Sequence, residues 1–401
     1  METQSISAPD FIDEARVYSE QLVSLRRVLH GHAEIGLDLP NTQAAVLDAL
    51  ADLDLEVRTG RTLSSVVAVL RGARPGPTVL LRGDMDALPI REETGLTYAS
   101  TNGAMHACGH DLHVAGLVGA ARLLSEHRDE LRGNVIFMFQ PGEEGYYGAR
   151  VMLEEGVLDA AGERPVAAYG IHVHAGLPRG VFTTRPGSML AGFSNVTIEV
   201  HGVGGHSSSL VTTRNPVTPA AEIASSLNTM ATHTFESSES VVLAVTRMEG
   251  SSAVNIIPEV ARIEASVRML SPENAAQLEA GCRRLAEGIA AAHGCTAEVT
   301  ITHGYPVTVN HPDETDMVLA TLNELVGPDR TTVMTEPKMG CEDFAYVLEK
   351  VPGTYIMLGA AIGDGDAASG EHHSSSVKFD DSVLSDQAAA LAAIAWQRLN
   401  I

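Results

Sequence analysis

The sequence lacks what would take it into a membrane, onto nucleic acid or into a disulfide framework. No stretch approaches the roughly 18 uninterrupted apolar residues that cross a bilayer as a helix. Only 27 Lys and Arg stand against 51 Asp and Glu, and the formal charge of -24 repels the phosphates of nucleic acid and of anionic headgroups. Neither nucleic acid nor a membrane is therefore an expected partner. Four cysteines in 401 residues are too few for a disulfide scaffold. In a reducing compartment a cysteine beside histidines is a ligand or a nucleophile, and only Cys108 has such neighbours. Aromatic residues make up 4% of the chain, with a single tryptophan, so the core must be built from Ala, Val, Leu and Ile. The start, "METQSISAPDFIDEARVYSE", is polar and acidic where a secretory signal is basic and then apolar, so the expected location is the cytoplasm.

The order of patterns along the chain predicts two domains. Helical spacing in "DEARVYSEQLVSLRRVLHGHAE" and "LHVAGLVGAARLLSEH" alternates with the strand-like runs "SSVVAVL", "PTVLLRGDMDALPI" and "GNVIFMFQPGEEG". Such alternation argues for an α/β domain with a mostly parallel sheet, whose chemistry collects at the carboxyl ends of the strands. From about residue 191 to 303 the order becomes β-α-β-β-α-β, a ferredoxin-like unit. Within it Ser271 is the expected N-cap, and Gly294 the expected stop, of a helix over "SPENAAQLEAGCRRLAEGIAAAHG". The α/β pattern then resumes to a C-terminal helix around Trp396, and "GDGDAASGEHHSSS" reads as a loop. The parse is a discontinuous domain, residues 1–190 and 304–401, interrupted by an inserted domain, residues 191–303.

Five places put ionisable or metal-binding groups at strand ends: Asp84 and Asp86 in "RGDMD"; His106, Cys108, His110 and Asp111 in "HACGHD"; Glu143 and Glu144 in "PGEEG"; His172 and His174 in "GIHVH"; His372 and His373 in "EHHSS". Singly, such residues are more often hydrogen-bonded structural histidines, helix caps or solvated turns. Together they describe a site. The flanking glycines let the chain turn sharply after the apolar "VIFMF", aiming two adjacent carboxylates at one place. One can hold a cation while the other takes a proton from a water that the cation acidifies. Imidazole, carboxylate and a single thiolate suit zinc, cobalt, nickel or manganese rather than magnesium or calcium. Cys108 and His110, two residues apart, cannot share a helix face, so they form a loop just before a helix and not a helical zinc-protease motif. Cys108 as a nucleophile, with His106 or His110 as its base, is the competing reading.

"RGDMDALPI", "MHACGHDLHVA", "QPGEEG", "GIHVHAGLPRG", "GVGGHSS", "NIIPE" and "GCEDFAY" fall in the order and spacing of the M20 metallopeptidase family, which the chain resembles from about residue 20 to 395. The resemblance is to its amidohydrolase branch, with aminoacylase, hippurate hydrolase and indole-acetyl-amino-acid hydrolase relatives. It implies two divalent metal ions per subunit and an inserted lid domain that also makes a homodimer. The ligands it implies are Cys108, His110, Glu144, His172 and one of the His372–His373 pair, with His373 favoured because a serine follows it. Glu143 would be the general base and Asp86 the acid that orients a ligand or the attacking water. His206 would reach the partner subunit's site and stabilise the oxyanion, and Asn255 would hold the substrate carboxylate.

Two departures touch the detail. "HSSSLVTTRNPV" lacks the Met-Pro-His run common after the lid histidine, and "HHSSSVKFD" lacks the proline of the usual C-terminal ligand segment. The implied reaction is metal-dependent hydrolysis of N-acyl amino acids to a carboxylic acid and a free amino acid. The alternatives are a dipeptidase or carboxypeptidase acting on small peptides, and a non-catalytic binding protein stabilised by metal.

Overall fold

The computed structural model describes residues 9–236, 240–363 and 369–401, so part of the expected loop, residues 364–368, lies outside the described residues. The chain divides into two units: residues 1–187, 309–335 and 346–401 form one, and residues 188–308 with 336–345 the other.

In the first unit, helices α1 (Phe11–Val17), α2 (Ser19–Gly31) and α3 (Pro40–Leu50) precede strands β1 (Glu56–Thr59), β2 (Val66–Arg71) and β3 (Arg74–Asp84). Helix α4 (His110–Glu126), strand β4 (Arg132–Gln140), helix α5 (Gly148–Glu154) and strands β5 (Ala167–His174) and β6 (Phe182–Thr184) follow. Two later strands, Thr331–Val333 and Gly353–Gly359, complete an eight-stranded sheet ordered β1, β2, β4, β3, β5, Gly353–Gly359, β6, Thr331–Val333. Its centre, from β4 through β3 and β5 to Gly353–Gly359, is parallel. The β1–β2 and β2–β4 pairs on one flank are antiparallel, as is the pairing of Gly353–Gly359 with β6. The expected mostly parallel sheet is present, with the antiparallel pairs away from its centre.

The near-continuous apolar runs are explained by burial on both faces. Val79, Leu81, Val135, Phe137 and Phe139 join one cluster with α4 and the C-terminal helix, Leu384–Leu399, around Trp396. These two helices approach closely: a side-chain carbon added at Gly119 would sit 2.6 Å from the Ala388 Cβ. Helix α2 buries Leu22, Arg26, Leu29 and His30, the i, i+4, i+7, i+8 stripe of an amphipathic helix, yet two of the four are ionisable.

In the second unit, strands β7 (Gly192–His201), β8 (Val242–Glu249), β9 (Val260–Met269) and β10 (Thr296–His303) make an antiparallel sheet ordered β8, β9, β7, β10. Helices α6 (Val217–Thr234) and α7 (Asn274–Ala292) lie between β7 and β8 and between β9 and β10 in the chain. Alternation sets the register: Val196, Ile198 and Val200 stand opposite Ala265, Ile263 and Ala261, all buried in one cluster with Ile223 of α6 and Leu278 of α7. Ser271 is not the N-cap of α7. That position belongs to Glu273, and the Ser271 hydroxyl instead donates to the Glu273 carboxylate. Gly294 does follow the helix end in the left-handed conformation, at φ 69°. Among the described residues no helix is long and apolar enough to cross a membrane.

Candidate metal centre

The parallel strands deliver the site. Strand β3 ends at Asp84, with Asp86 two residues on; β4 ends at Gln140, with Glu143 and Glu144 just beyond; β5 carries His172 near its end. Cys108 comes from the turn before α4, and His110 is the first residue of that helix rather than part of the preceding loop. Gly109 makes the turn at φ 86°, and a Cβ there would lie 2.5 Å from a Val173 methyl, so glycine is required on both counts.

Ligand atoms of Cys108, His110 and His172 lie within 4.8 Å of one another, as do those of Cys108, Glu144 and His373, and those of His110, Glu143 and Glu144. Cys108 and His110 each belong to two of these groups. Backbone carbonyls fix the two imidazoles. His110 Nδ1 donates to the Asp86 carbonyl at 2.9 Å and His172 Nδ1 to the Val173 carbonyl at 2.6 Å. Each Nε2 lone pair is thereby turned inward, the arrangement expected of metal-ligating histidines. His172 Nε2 lies 3.4 Å from Cys108 Sγ, and His110 Nε2 is buried without a hydrogen bond. A buried acceptor without a donor, facing thiol and carboxylate, fits a transition-metal ion.

Asp86 organises the acidic pair. Its two carboxylate oxygens accept the backbone N–H groups of Glu143 at 2.9 Å and Glu144 at 3.0 Å. Bonds to a charged acceptor contribute about 1.5–3 kcal/mol each, enough to hold the turn in one geometry. Glu143 itself is 7% exposed, so the second carboxylate is sheltered beside the donor groups.

The adjacent histidines have different surroundings. His373, at φ 62°, points its Nε2 to within 3.2 Å of Glu144 Oε1. Hydrogen bonds to Cys108 and Glu144 raise its pKa to about 10. His372 accepts the Ala175 N–H at Nε2, 2.9 Å away, and burial with His174 and His373 nearby lowers its pKa to about 3. His174 Nδ1 accepts the Gly176 N–H at 3.0 Å.

The nucleophile reading of Cys108 loses one of its two candidate bases. His106 is buried with neither ring nitrogen hydrogen-bonded, and burial lowers its pKa to about 3. Burial, then the Glu144 charge, pushes the Cys108 thiol up, which suits a ligand that ionises on a cation and not a free thiolate.

His206 and Asn255 belong to the second unit. Both are exposed, and a short ladder pairs Gly205–His206 with Ile256–Ile257 while the Asn255 carbonyl accepts the Ser207 N–H. The Ser208 hydroxyl lies 2.8 Å from His206 Nδ1.

With the geometry in place, comparison gives the lineage. Residues 80–397 match the family described as Peptidase family M20/M25/M40. The chain belongs to this family. It is 36% identical to thermostable carboxypeptidase 1 of Saccharolobus solfataricus over 96% of both chains. It is 34% identical to an N-acetylcysteine deacetylase of Bacillus subtilis over 86% of this chain and 89% of that one. A solved Bacillus subtilis structure, the YXEP protein, described as a dinuclear metal binding peptidase from the M20 family, superposes with a TM-score of 0.84 at 31% identity, covering 96% of this chain and 99% of that one.

In this M20 chain the residues that sequence reasoning missed lie behind the candidate ligands. Asp84, quoted above without a role, is fully buried: His113 Nδ1 donates to it, and Arg82 approaches at 2.8 Å. Its other neighbour is His110 Nε2 at 3.3 Å. His113 is not a ligand, because its Nε2 accepts the Val173 N–H at 2.8 Å. Arg82 and Asp84 at i, i+2 inside an apolar strand, and His110 and His113 at i, i+3 on a helix, were the available signals.

Proposed function

We propose that the chain is a metal-dependent amidohydrolase that cleaves N-acyl amino acids to a carboxylic acid and a free amino acid. The observation that carries this reading is the Glu143–Glu144 turn pinned by Asp86: Glu144 joins Cys108 and His373, and Glu143 is held alongside. Cys108, His110, Glu144, His172 and His373 would hold two divalent ions, as the YXEP relative is described to do. Bound there, the metals supply Lewis-acid polarisation and bring the pKa of a water toward neutrality. Glu143 takes the proton of that water as its oxygen attacks the amide carbon. The C–N bond then breaks, and Glu143 passes the proton to the departing amine. Asp86 acts through the two glutamates and His110, whose positions it fixes.

The second unit, whose strand and helix order supports a ferredoxin-like lid over residues 191–303, would form the homodimer. His206 would stabilise the oxyanion in the partner subunit's site, and Asn255 would bind the substrate carboxylate. The catalytic part is assigned to residues 1–190 and 304–401, less residues 336–345, which pack with the second unit. A reducing cytoplasm is the compartment this reading assigns, since four cysteines in 401 residues are too few for a disulfide framework.

The carboxypeptidase name of one relative keeps peptide-bond cleavage as the second reading. Hydrolysis of acetyl-, benzoyl- and aminoacyl-amino acids, followed by release of free amino acid, separates the two. The acetyl or benzoyl compounds are expected to be cleaved with the higher kcat/KM; turnover of the aminoacyl compounds alone makes the enzyme a peptidase. In a dilution series of the same assay, specific activity falls as dimers dissociate. Constant activity from demonstrably monomeric protein contradicts the role given to His206.

A further inference from the structure

Behind the Cys108–His110 turn lies a buried ionic network that the reaction does not use. Arg26 and His30, one turn apart on α2 and at most 1% exposed, both hold Asp111, the residue after His110. Arg26 Nε lies 2.7 Å and His30 Nδ1 2.9 Å from the same Asp111 oxygen. His30 Nε2 is 3.1 Å from both oxygens of Glu92. Both ring nitrogens therefore face carboxylates, and both must donate. Glu92 also accepts the Ser100 N–H at 2.7 Å and the Thr94 hydroxyl.

The next residue carries the connection onward. The Glu93 N–H donates to the Ser375 carbonyl at 2.7 Å, and the Ser375 hydroxyl donates to the Glu93 carboxylate at 3.0 Å. Ser375 is two residues beyond His373. One arm from His30 thus ends beside His110 and the other beside His373, residues 263 positions apart in sequence. Where the two loops meet, the His373 N–H donates to the Ala107 carbonyl at 3.0 Å.

Stability alone is a poor reason for this network. Desolvating several charges costs as much as their attraction returns, and apolar replacements of such clusters are often neutral or stabilising. Precise placement of neighbouring groups is a better one, since partners behind metal ligands typically change metal affinity 10- to 100-fold.

We propose that His30 is a positioning residue that sets the distance between the Cys108–His110 turn and the His373 loop by clamping Asp111 and Glu92 together. The inference rests on the metal-site reading above. Its test is calorimetric titration of the apoprotein with zinc ion alone, with melting temperatures measured in parallel, for wild type, His30→Leu, His30→Gln and Arg398→Met. Arg398 pairs with Glu314 at 3.0 Å, away from the ligands, and serves as a destabilised control. His30→Leu is expected to weaken zinc binding about 10- to 100-fold. His30→Gln, which keeps a donor, should recover part of the loss, while Arg398→Met lowers the melting temperature at unchanged affinity. If His30→Leu does not fold, Glu92→Gln removes one arm only and is read the same way, with weakened binding expected. Wild-type affinity in His30→Leu, or in Glu92→Gln where that variant stands in, overturns the positioning role. A wild-type protein that binds no zinc overturns the metal site itself, a separate outcome.

Discussion

Glu143→Gln abolishes turnover by about 10²- to 10⁴-fold in kcat while leaving metal content and KM close to wild type, the range expected when a general base is lost. Glutamine keeps the size of the side chain, and the backbone N–H that Asp86 accepts at 2.9 Å is untouched, so the turn holds. What disappears is basicity at one position. Glu144 stays beside Cys108 and His373, which is why the ion is retained. Measuring kcat, KM and bound metal on one preparation makes the prediction sharp. An unchanged rate removes Glu143 from the chemistry and favours a non-catalytic binding role, whereas joint loss of metal and rate makes Glu143 a ligand.

The parts of this site that were legible in the sequence share one property: they are local. "VIFMFQPGEEG" announces both its strand and its turn because apolar residues, glycine and paired acids are consecutive, and β4 ends at Gln140 just before the acids. Alternation of Val196, Ile198 and Val200 likewise encodes a strand with one buried face. What was not legible depends on partners far apart in the chain. His30 meets Glu92 and Asp111 across 62 and 81 residues, and no periodicity announces such a pairing. Asp86 reads as an acid that orients a ligand or the attacking water, yet both its oxygens accept backbone N–H groups. The return of residues 336–345 to the second unit is carried by a stretch too short and irregular to show a period. His372 and His373 are chemically identical in sequence; the Ala175 N–H on one and Glu144 beside the other tell them apart.

Cys108→Ala has the broadest expected consequence, because the thiol joins both the His110–His172 group and the Glu144–His373 group. Removing His172 or His373 strips one group; removing Cys108 strips both. The remaining imidazoles and carboxylates cannot close around the gap, since His110 and His172 are held by backbone carbonyls at 2.9 and 2.6 Å. Folding should survive, as the side chain is small and the surrounding strands belong to one large apolar cluster. Binding at both positions is expected to fall by well over 10-fold, with activity lost in step.

The most direct measurement of the central claim is the stoichiometry of divalent metal bound per chain, determined by titration and elemental analysis for wild type and Cys108→Ala side by side. Two equivalents are expected for wild type and fewer than one for the variant under the same conditions. One equivalent or none in wild type, or full binding by Cys108→Ala, contradicts the claim.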